Sequence, residues 1–241
     1  MAGHSKFANI KHKKAKNDAK RGKIFTKLGR EIAVAIKEGG ANPELNRKLA
    51  DVIAKAKSNN MPNDTIDKAI KKAAGDKDGA SYENIVYEGY GPSGVAIIVE
   101  TLTDNKNRTA GNVRSYFTKG NGNMGTSGCV GFMFDKKGQI MIERSDDIDE
   151  EELLMIALEA GADDMKVHEE GFEILTVAEE FSVVNKSLEE AGIEMVSAEI
   201  KMIPQTLTVL EAEEDIKSMN KLIDLLEDDD DVQNIWHNWD E

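Results

Sequence analysis

The spacing of apolar residues changes near Tyr82, and that change limits the folds open to this chain. Before it, Phe25, Leu28, Ile32 and Ile36 recur every three to four residues, the mark of a helix with one buried face. After it, apolar residues follow the short alternation and short runs of strands, broken by glycine-rich turns. A helical domain followed by α/β domains is therefore expected, which places the chain in the α+β class.

Three helices are expected in the first part. Asn42-Pro43-Glu44 reads as N-cap, first helical position and first-turn acid, and Leu45, Leu49, Val52, Ile53 and Ala56 give the next stripe. Asn59-Asn60-Met61-Pro62 reads as a turn, Asn63 or Asp64 as the cap of a third helix, and Gly75 as its stop.

From residue 81 the expected order is two strands joined through Gly89–Gly94, a helix over Asn105–Lys119, and a strand over Cys129–Phe134. Residues 139–203 then read βαββαβ, the ferredoxin-like pattern. After Pro204 a strand, a helix over Glu213–Leu226 and a last strand could complete the earlier, unfinished sheet. The expected layout is a basic helical domain at 1–80, a discontinuous α/β domain at 81–136 plus 205–241, and an inserted βαββαβ domain at 137–204. The fold is thus a three-helix domain followed by two ferredoxin-like domains, one inserted into the other.

Charge divides along the same line. Residues 1–80 hold 19 Lys and Arg against 9 Asp and Glu, a net of +10; residues 81–241 hold 12 against 36, a net of −24. Such asymmetry points to a polyanion-binding arm on an acidic body. Lys13, Lys16, Lys20, Lys23, Lys27 and Arg30 are spaced 3, 4, 3, 4, 3, which on a helix forms one stripe. At about 1.5 Å per residue the stripe is roughly 25 Å long. Like charges so placed repel, and a phosphate backbone would neutralise them. Lys6, Lys11, Lys14 and Arg21 add to the same basic segment. Phe7, just before the lysines, could stack on a base or staple the helical domain.

A second basic run lies in the acidic body. Asn105–Phe134 contains no Asp or Glu but carries Lys106, Arg108, Arg114 and Lys119. Asp104 or Asn105 would cap the helix there. Lys106 and Arg108 would then sit at its N-terminus, where the dipole disfavours cations, unless an anion binds.

Catalytic readings find little support. His4, His12, His168 and His237 are scattered, and the single cysteine, Cys129, falls in an expected core strand. No catalytic residue, metal site or cofactor is expected. Gly120-Asn121-Gly122-Asn123-Met124-Gly125 spells the dinucleotide-binding pattern but follows a helix and precedes a strand, the reverse of what that site needs. The loop could still offer backbone N–H groups to a phosphate, or be a flexible connector. Glu227–Asp231 reads as a solvated acidic turn that would keep nucleic acid on the basic side. The longest apolar run, Val95–Val99, is too short to span a bilayer, and no secretory signal is read at the N-terminus; a cytoplasmic protein is expected.

The segments MAGHSKFANIKHKKAKNDAKRGKIFTKLGREI, SNNMPNDTIDKAIKKAAG, YEGYGPSGVAIIVETLTDNKNRT and GNMGTSGCVGFMF, in this order, resemble the YebC/PmpR family over essentially the whole chain. The resemblance implies a three-domain cytoplasmic protein without enzyme activity. Family members are labelled probable transcriptional regulators, some of them DNA-binding. Relatives, including a mitochondrial translational activator of a cytochrome oxidase subunit, act on translation through the ribosome. Phe7 stands where the family usually has Trp, and Cys129 where Ser is usual.

The combined expectation is a nucleic-acid-binding regulator of gene expression, with a DNA-binding transcriptional regulator first and a ribosome- or ribosomal-RNA-binding translation factor as the alternative. A protein-interaction adaptor using the acidic body is a third reading. The expected contacts are Lys6, Phe7, Lys11, Lys13, Lys14, Lys16, Lys20, Arg21, Lys23, Lys27, Arg30, Lys106, Arg108 and Arg114. No membrane partner is expected, and a monomer is the expected state.

Overall fold

The computed structural model describes residues 7, 21–75 and 81–240, and the structural statements below concern these residues. They form an α+β fold in two compact units, one of residues 21–75, 81–131 and 208–240, the other of Phe7 and residues 132–207.

The first unit begins with three helices: α1 (Arg21–Gly39), α2 (Arg47–Ser58) and α3 (Asn63–Gly75). Leu28, Ile32, Ala35 and Ile36 of α1 bury against Leu49, Val52 and Ala56 of α2 and against Met61 and Ile66. This is the three- to four-residue stripe of the sequence turned into a core. Gly40 ends α1 at φ +84°, a conformation that costs glycine little, and its N–H donates to the Ile36 carbonyl at 2.8 Å.

The start of α2 differs from expectation. Asn46, not Asn42, is the cap. Its Oδ1 accepts the Leu49 N–H at 3.1 Å, while its Nδ2 donates to the carbonyls of Ala35 and Gly40, each at 2.7 Å. One buried amide thus caps α2 and ties it to the end of α1. Asn42 makes a local turn instead, its Oδ1 accepting the Glu44 N–H. Starting the helix later leaves Leu45 outside the core, 83% exposed.

The sheet of this unit has the order β3–β1–β2–β9, from β1 (Glu83–Tyr90), β2 (Ala96–Thr103), β3 (Asn123–Met124) and β9 (Val232–His237), all antiparallel neighbours. Helix α4 (Lys106–Lys119) connects β2 to β3, and α7 (Glu213–Glu227) leads into β9. Val95, Ile97 and Val99 pack with Val113 and Phe117 of α4 and with Met219, Leu222 and Leu226 of α7. The spatial order is ferredoxin-like, with the α7–β9 pair supplied from the far end of the chain. A short parallel pair, β8 (Thr208–Val209) with β10 (Trp239–Asp240), flanks it.

The second unit is a βαββαβ domain of β4 (Phe134–Glu143), α5 (Glu150–Glu159), β5 (Asp164–His168), β6 (Gly171–Val177), α6 (Phe181–Glu190) and β7 (Ser197–Pro204). Its strand order is β5–β6–β4–β7, the ferredoxin-like arrangement. Ile140, Ile142, Phe172 and Ile174 of the sheet bury against Leu153, Ala157, Val184 and Leu188 of the two helices.

The strand expected at Cys129–Phe134 does not form. Cys129 lies in a turn, Gly131–Met133 is a short 3₁₀ segment, and β4 runs unbroken from Phe134. Asp135, Lys136 and Lys137 look like a loop by composition, but the ladder to Ile203, Met202 and Lys201 of β7 holds them in the strand.

Candidate nucleic-acid interface

Four of the cations singled out in the first unit, Lys23, Lys27, Arg30 and Arg108, converge on the acidic run Glu227–Asp231. Asp231, at the entry to β9, is 3% exposed. Its Oδ1 accepts from Arg30 Nη1 at 2.7 Å, and its Oδ2 from Arg108 Nη2 at 2.7 Å. The Thr109 hydroxyl lies 2.7 Å from Oδ2, and the Thr103 hydroxyl lies 3.3 Å from it. The Asp231 carbonyl accepts the Leu102 N–H at 2.7 Å, fixing the residue to β2. Burial works to raise this carboxyl, but bonds from Arg108, Thr109 and Arg30 outweigh it and hold it below the usual carboxylate range.

The rest of the run is also engaged. Lys23 Nζ stands 2.8 Å from Asp228 Oδ1. Lys27 Nζ donates to the Glu227 carbonyl at 3.1 Å. Burial pulls the Lys27 ammonium below its ordinary value, against the opposing fields of Glu227, Asp230 and Asp229. Arg30 Nη1 also donates to the Asp230 carbonyl at 2.8 Å, and its guanidinium lies 5.6 Å from the Tyr82 ring centre. Asp229 Oδ2 accepts from Tyr116 at 3.0 Å and from Asn112 at 3.1 Å. Burial, then that bond, pushes the Tyr116 phenol up to about 12.

Glu227–Asp231 is therefore only in part a solvated turn: Asp228 and Asp230 are exposed, but the run also receives the cations of α1. The described half of the lysine stripe is neutralised by the chain's own carboxylates and carbonyls, which answers the repulsion that the spacing implies. The same holds at α4. Asn105 caps the helix, its Oδ1 accepting the Arg108 N–H at 3.0 Å. The anion expected beside Arg108 is internal: Asp231 at 2.7 Å and Asp104 at 2.8 Å. The hydrogen bonds it donates to Asp231 and then to Asp104 raise the guanidinium further above its ordinary value.

Lys106, Arg114 and Lys119 are exposed on α4, and none has an ion-pair partner among the described residues. Arg21 is exposed at the first position of α1. Lys6, Lys11, Lys13, Lys14, Lys16 and Lys20 lie outside the described residues. Phe7 is 3% exposed, its ring 6.1 Å from that of His168, centre to centre. A Cβ at Gly171 would stand 2.8 Å from the Phe7 ring, so only glycine admits this approach. Phe7 is thus not on offer to a base, and it packs in the βαββαβ unit rather than in the helical bundle.

A second internal anion organises the glycine-rich loop. The Glu88 carboxylate accepts the N–H groups of Gly128 at 2.8 Å, Val130 at 2.8 Å and Gly131 at 2.7 Å. Burial works to raise it, but these three bonds outweigh burial and hold it low. Asn123–Met124 pairs with Gly89–Tyr90, and Gly125 N–H donates to the Glu88 carbonyl at 2.8 Å. The loop is neither an open phosphate cradle nor a loose connector. Burial, then the field of Glu88, raises the Cys129 thiol, away from the reactive thiolate.

Asp231, Asp229 and Glu88 escaped a reading of sequence alone. The available signal was the match between an acidic run and cations at i, i+4 and i+7 in Lys23, Lys27 and Arg30. Among the described residues, no three His, Cys, Asp or Glu side chains group so as to hold a metal ion. No described helix is long and apolar enough to cross a membrane.

The chain matches two family models end to end: TACO1/YebC protein N-terminal domain over residues 5–76, and TACO1/YebC second and third domain over residues 82–239. It is 62% identical over 242 residues to a protein of Lachnoclostridium phytofermentans, covering 100% of both chains. It is 63% identical over 247 residues to one of Clostridium beijerinckii, again covering 100% of both. Each of these is named a probable transcriptional regulatory protein. The crystal structure of a conserved hypothetical protein from Aquifex aeolicus superposes with a TM-score of 0.79 at 46% identity, covering 93% of this chain and 92% of that one. Fold, both family models and full-length relatives agree: this chain belongs to the TACO1/YebC family.

Proposed function

We propose that this chain is a nucleic-acid-binding regulator of gene expression, acting in the cytoplasm without a catalytic step, and that it holds its target by phosphate contacts. Its relatives' names point to regulation of transcription. The observation that carries the binding reading is α4: Lys106, Arg114 and Lys119 stand exposed and unpaired among the described residues, in a stretch without a carboxylate. Lys6, Lys11, Lys13, Lys14, Lys16, Lys20 and Arg21 would extend the contact along the basic segment. Lys23, Lys27, Arg30 and Arg108 have the different task of holding the acidic run.

A second polyanion, structured RNA such as ribosomal RNA, suits the same contacts. Arginine is the side chain best built to read guanine edges in a major groove. Arg30 and Arg108 are committed to carboxylates, which leaves mostly lysines. Lysines grip phosphates without reading sequence.

The test is fluorescence anisotropy with labelled duplex DNA and duplex RNA in dilute buffer. The wild-type protein binds at least one of them. Charge reversal at Lys13, Lys16 and Lys20 together with Arg114 removes that binding and leaves the thermal transition in place. Undiminished binding by this variant would refute the assignment.

A further inference from the structure

Helix α5 carries six consecutive apolar residues, Leu153-Leu154-Met155-Ile156-Ala157-Leu158. A helix apolar all round its circumference is normally covered on every side. Here the core takes only part of it: Leu153 and Ala157 are buried against the sheet, with Ile156 packed beside them. Leu154, Met155 and Leu158 face outward, 36%, 58% and 50% exposed. They sit within one turn of each other, so they make a patch rather than scattered single residues. Exposed Val183 on the neighbouring α6 adds a further apolar side chain to the helical layer.

The surroundings state what kind of partner fits. Helix α5 holds Glu150, Glu151, Glu152 and Glu159 and no cation. Residues 132–207 contain 20 Asp and Glu against 6 Lys and Arg, a net of −14, equal to the net charge of the whole chain. Nucleic acid is repelled by such a domain. A second copy of this domain would bring the same sign of charge to the contact.

We infer that the outward face of α5, Leu154–Met155–Leu158 with its glutamate rim, is a docking surface for a cationic amphipathic segment of a partner protein. Apolar anchors on the partner would enter between the three side chains, with Met155 adapting its shape. Lysines or arginines beside those anchors would meet Glu151, Glu152 and Glu159. This surface lies on a different helix from the contacts proposed for α4, and the inference stands whether or not they do.

The test uses the full chain and a labelled synthetic helix of leucine and lysine at amphipathic spacing. A control peptide of equal charge replaces each leucine by serine. Binding is read by anisotropy at about physiological salt, where surface charge alone is screened. The wild-type protein binds the amphipathic peptide, and the Met155→Ser/Leu158→Ser double variant binds it at least tenfold more weakly. The control peptide binds weakly and equally to both proteins. Both substituted positions are exposed, and the thermal transition of the variant confirms its fold. Equal binding of the amphipathic peptide by both proteins, or none by the wild type, overturns the inference. So does a concentration-dependent dimer in sedimentation that the double variant abolishes, since the face would then be covered by a second copy.

Discussion

The carboxylate of Asp231 meets the guanidinium of Arg30 at 2.7 Å across 201 positions of sequence. Arg30 belongs to the helical bundle and Asp231 to the sheet, so the pair fastens one to the other. Arg108 closes on the other oxygen of the same carboxylate. Removing the acid leaves Arg30 without its carboxylate and Arg108 with Asp104 alone, and removing one partner of a buried pair costs about 3 kcal/mol. Asp231→Asn therefore lowers the unfolding free energy by about that amount in urea titration. Arg30→Gln costs less in that background than in the wild type, because both changes remove the Arg30–Asp231 pair. What it still removes is the bond to the Asp230 carbonyl and the contact with Tyr82.

Acid exposes the same network. The folded-state value of Asp231 lies below its unfolded value, as does that of Glu88. Each therefore stabilises the fold fully above about pH 5, beyond both unfolded values, and loses that contribution as pH falls through the depressed folded value. The wild-type unfolding free energy declines steeply below about pH 4. Asp231→Asn and Glu88→Gln each flatten that decline, measured by urea midpoints at stepped pH.

Glu88 holds three backbone N–H groups that would otherwise be left without acceptors. Glu88→Ala costs about 3 kcal/mol, since charge-assisted bonds are lost and donors are stranded. Hydrogen exchange localises the effect: the amides of Gly128, Val130 and Gly131 lose protection, while those of β6 do not change.

Asn46 caps α2 and also bonds the Ala35 and Gly40 carbonyls. Asn46→Ala removes all three bonds and costs about 2 kcal/mol in thermal or urea unfolding. Asn42→Ala, at the position that sequence rules favour for the cap, costs under about 1 kcal/mol.

These positions mark where sequence reading works and where it stops. Local chemistry was legible: the stripe from Leu28 to Ile36, the Asn105 cap and the βαββαβ order of residues 134–204 all follow from spacing and short-range bonding. Long-range neutralisation was not. The misplaced Arg108 signals an anion at the head of α4, but the sequence does not say that the anion is Asp231, 123 positions away. Cys129 and Val130 look like strand residues until Glu88 draws the flanking amides into a turn. Asn42-Pro43-Glu44 obeys the helix-start rules, yet Asn46 prevails because its side chain satisfies three backbone groups at once.

The salt dependence of nucleic-acid affinity bears most directly on the proposed function. With about six lysines of the basic segment and α4 on B-DNA phosphates, the log–log slope is near −5, about a thousandfold loss of affinity from 50 to 200 mM salt. Duplex RNA, with its own counterion density, gives a similarly steep fall if it is the target. A slope near zero, or no binding to either polymer in dilute buffer, would contradict a phosphate-gripping role for this chain.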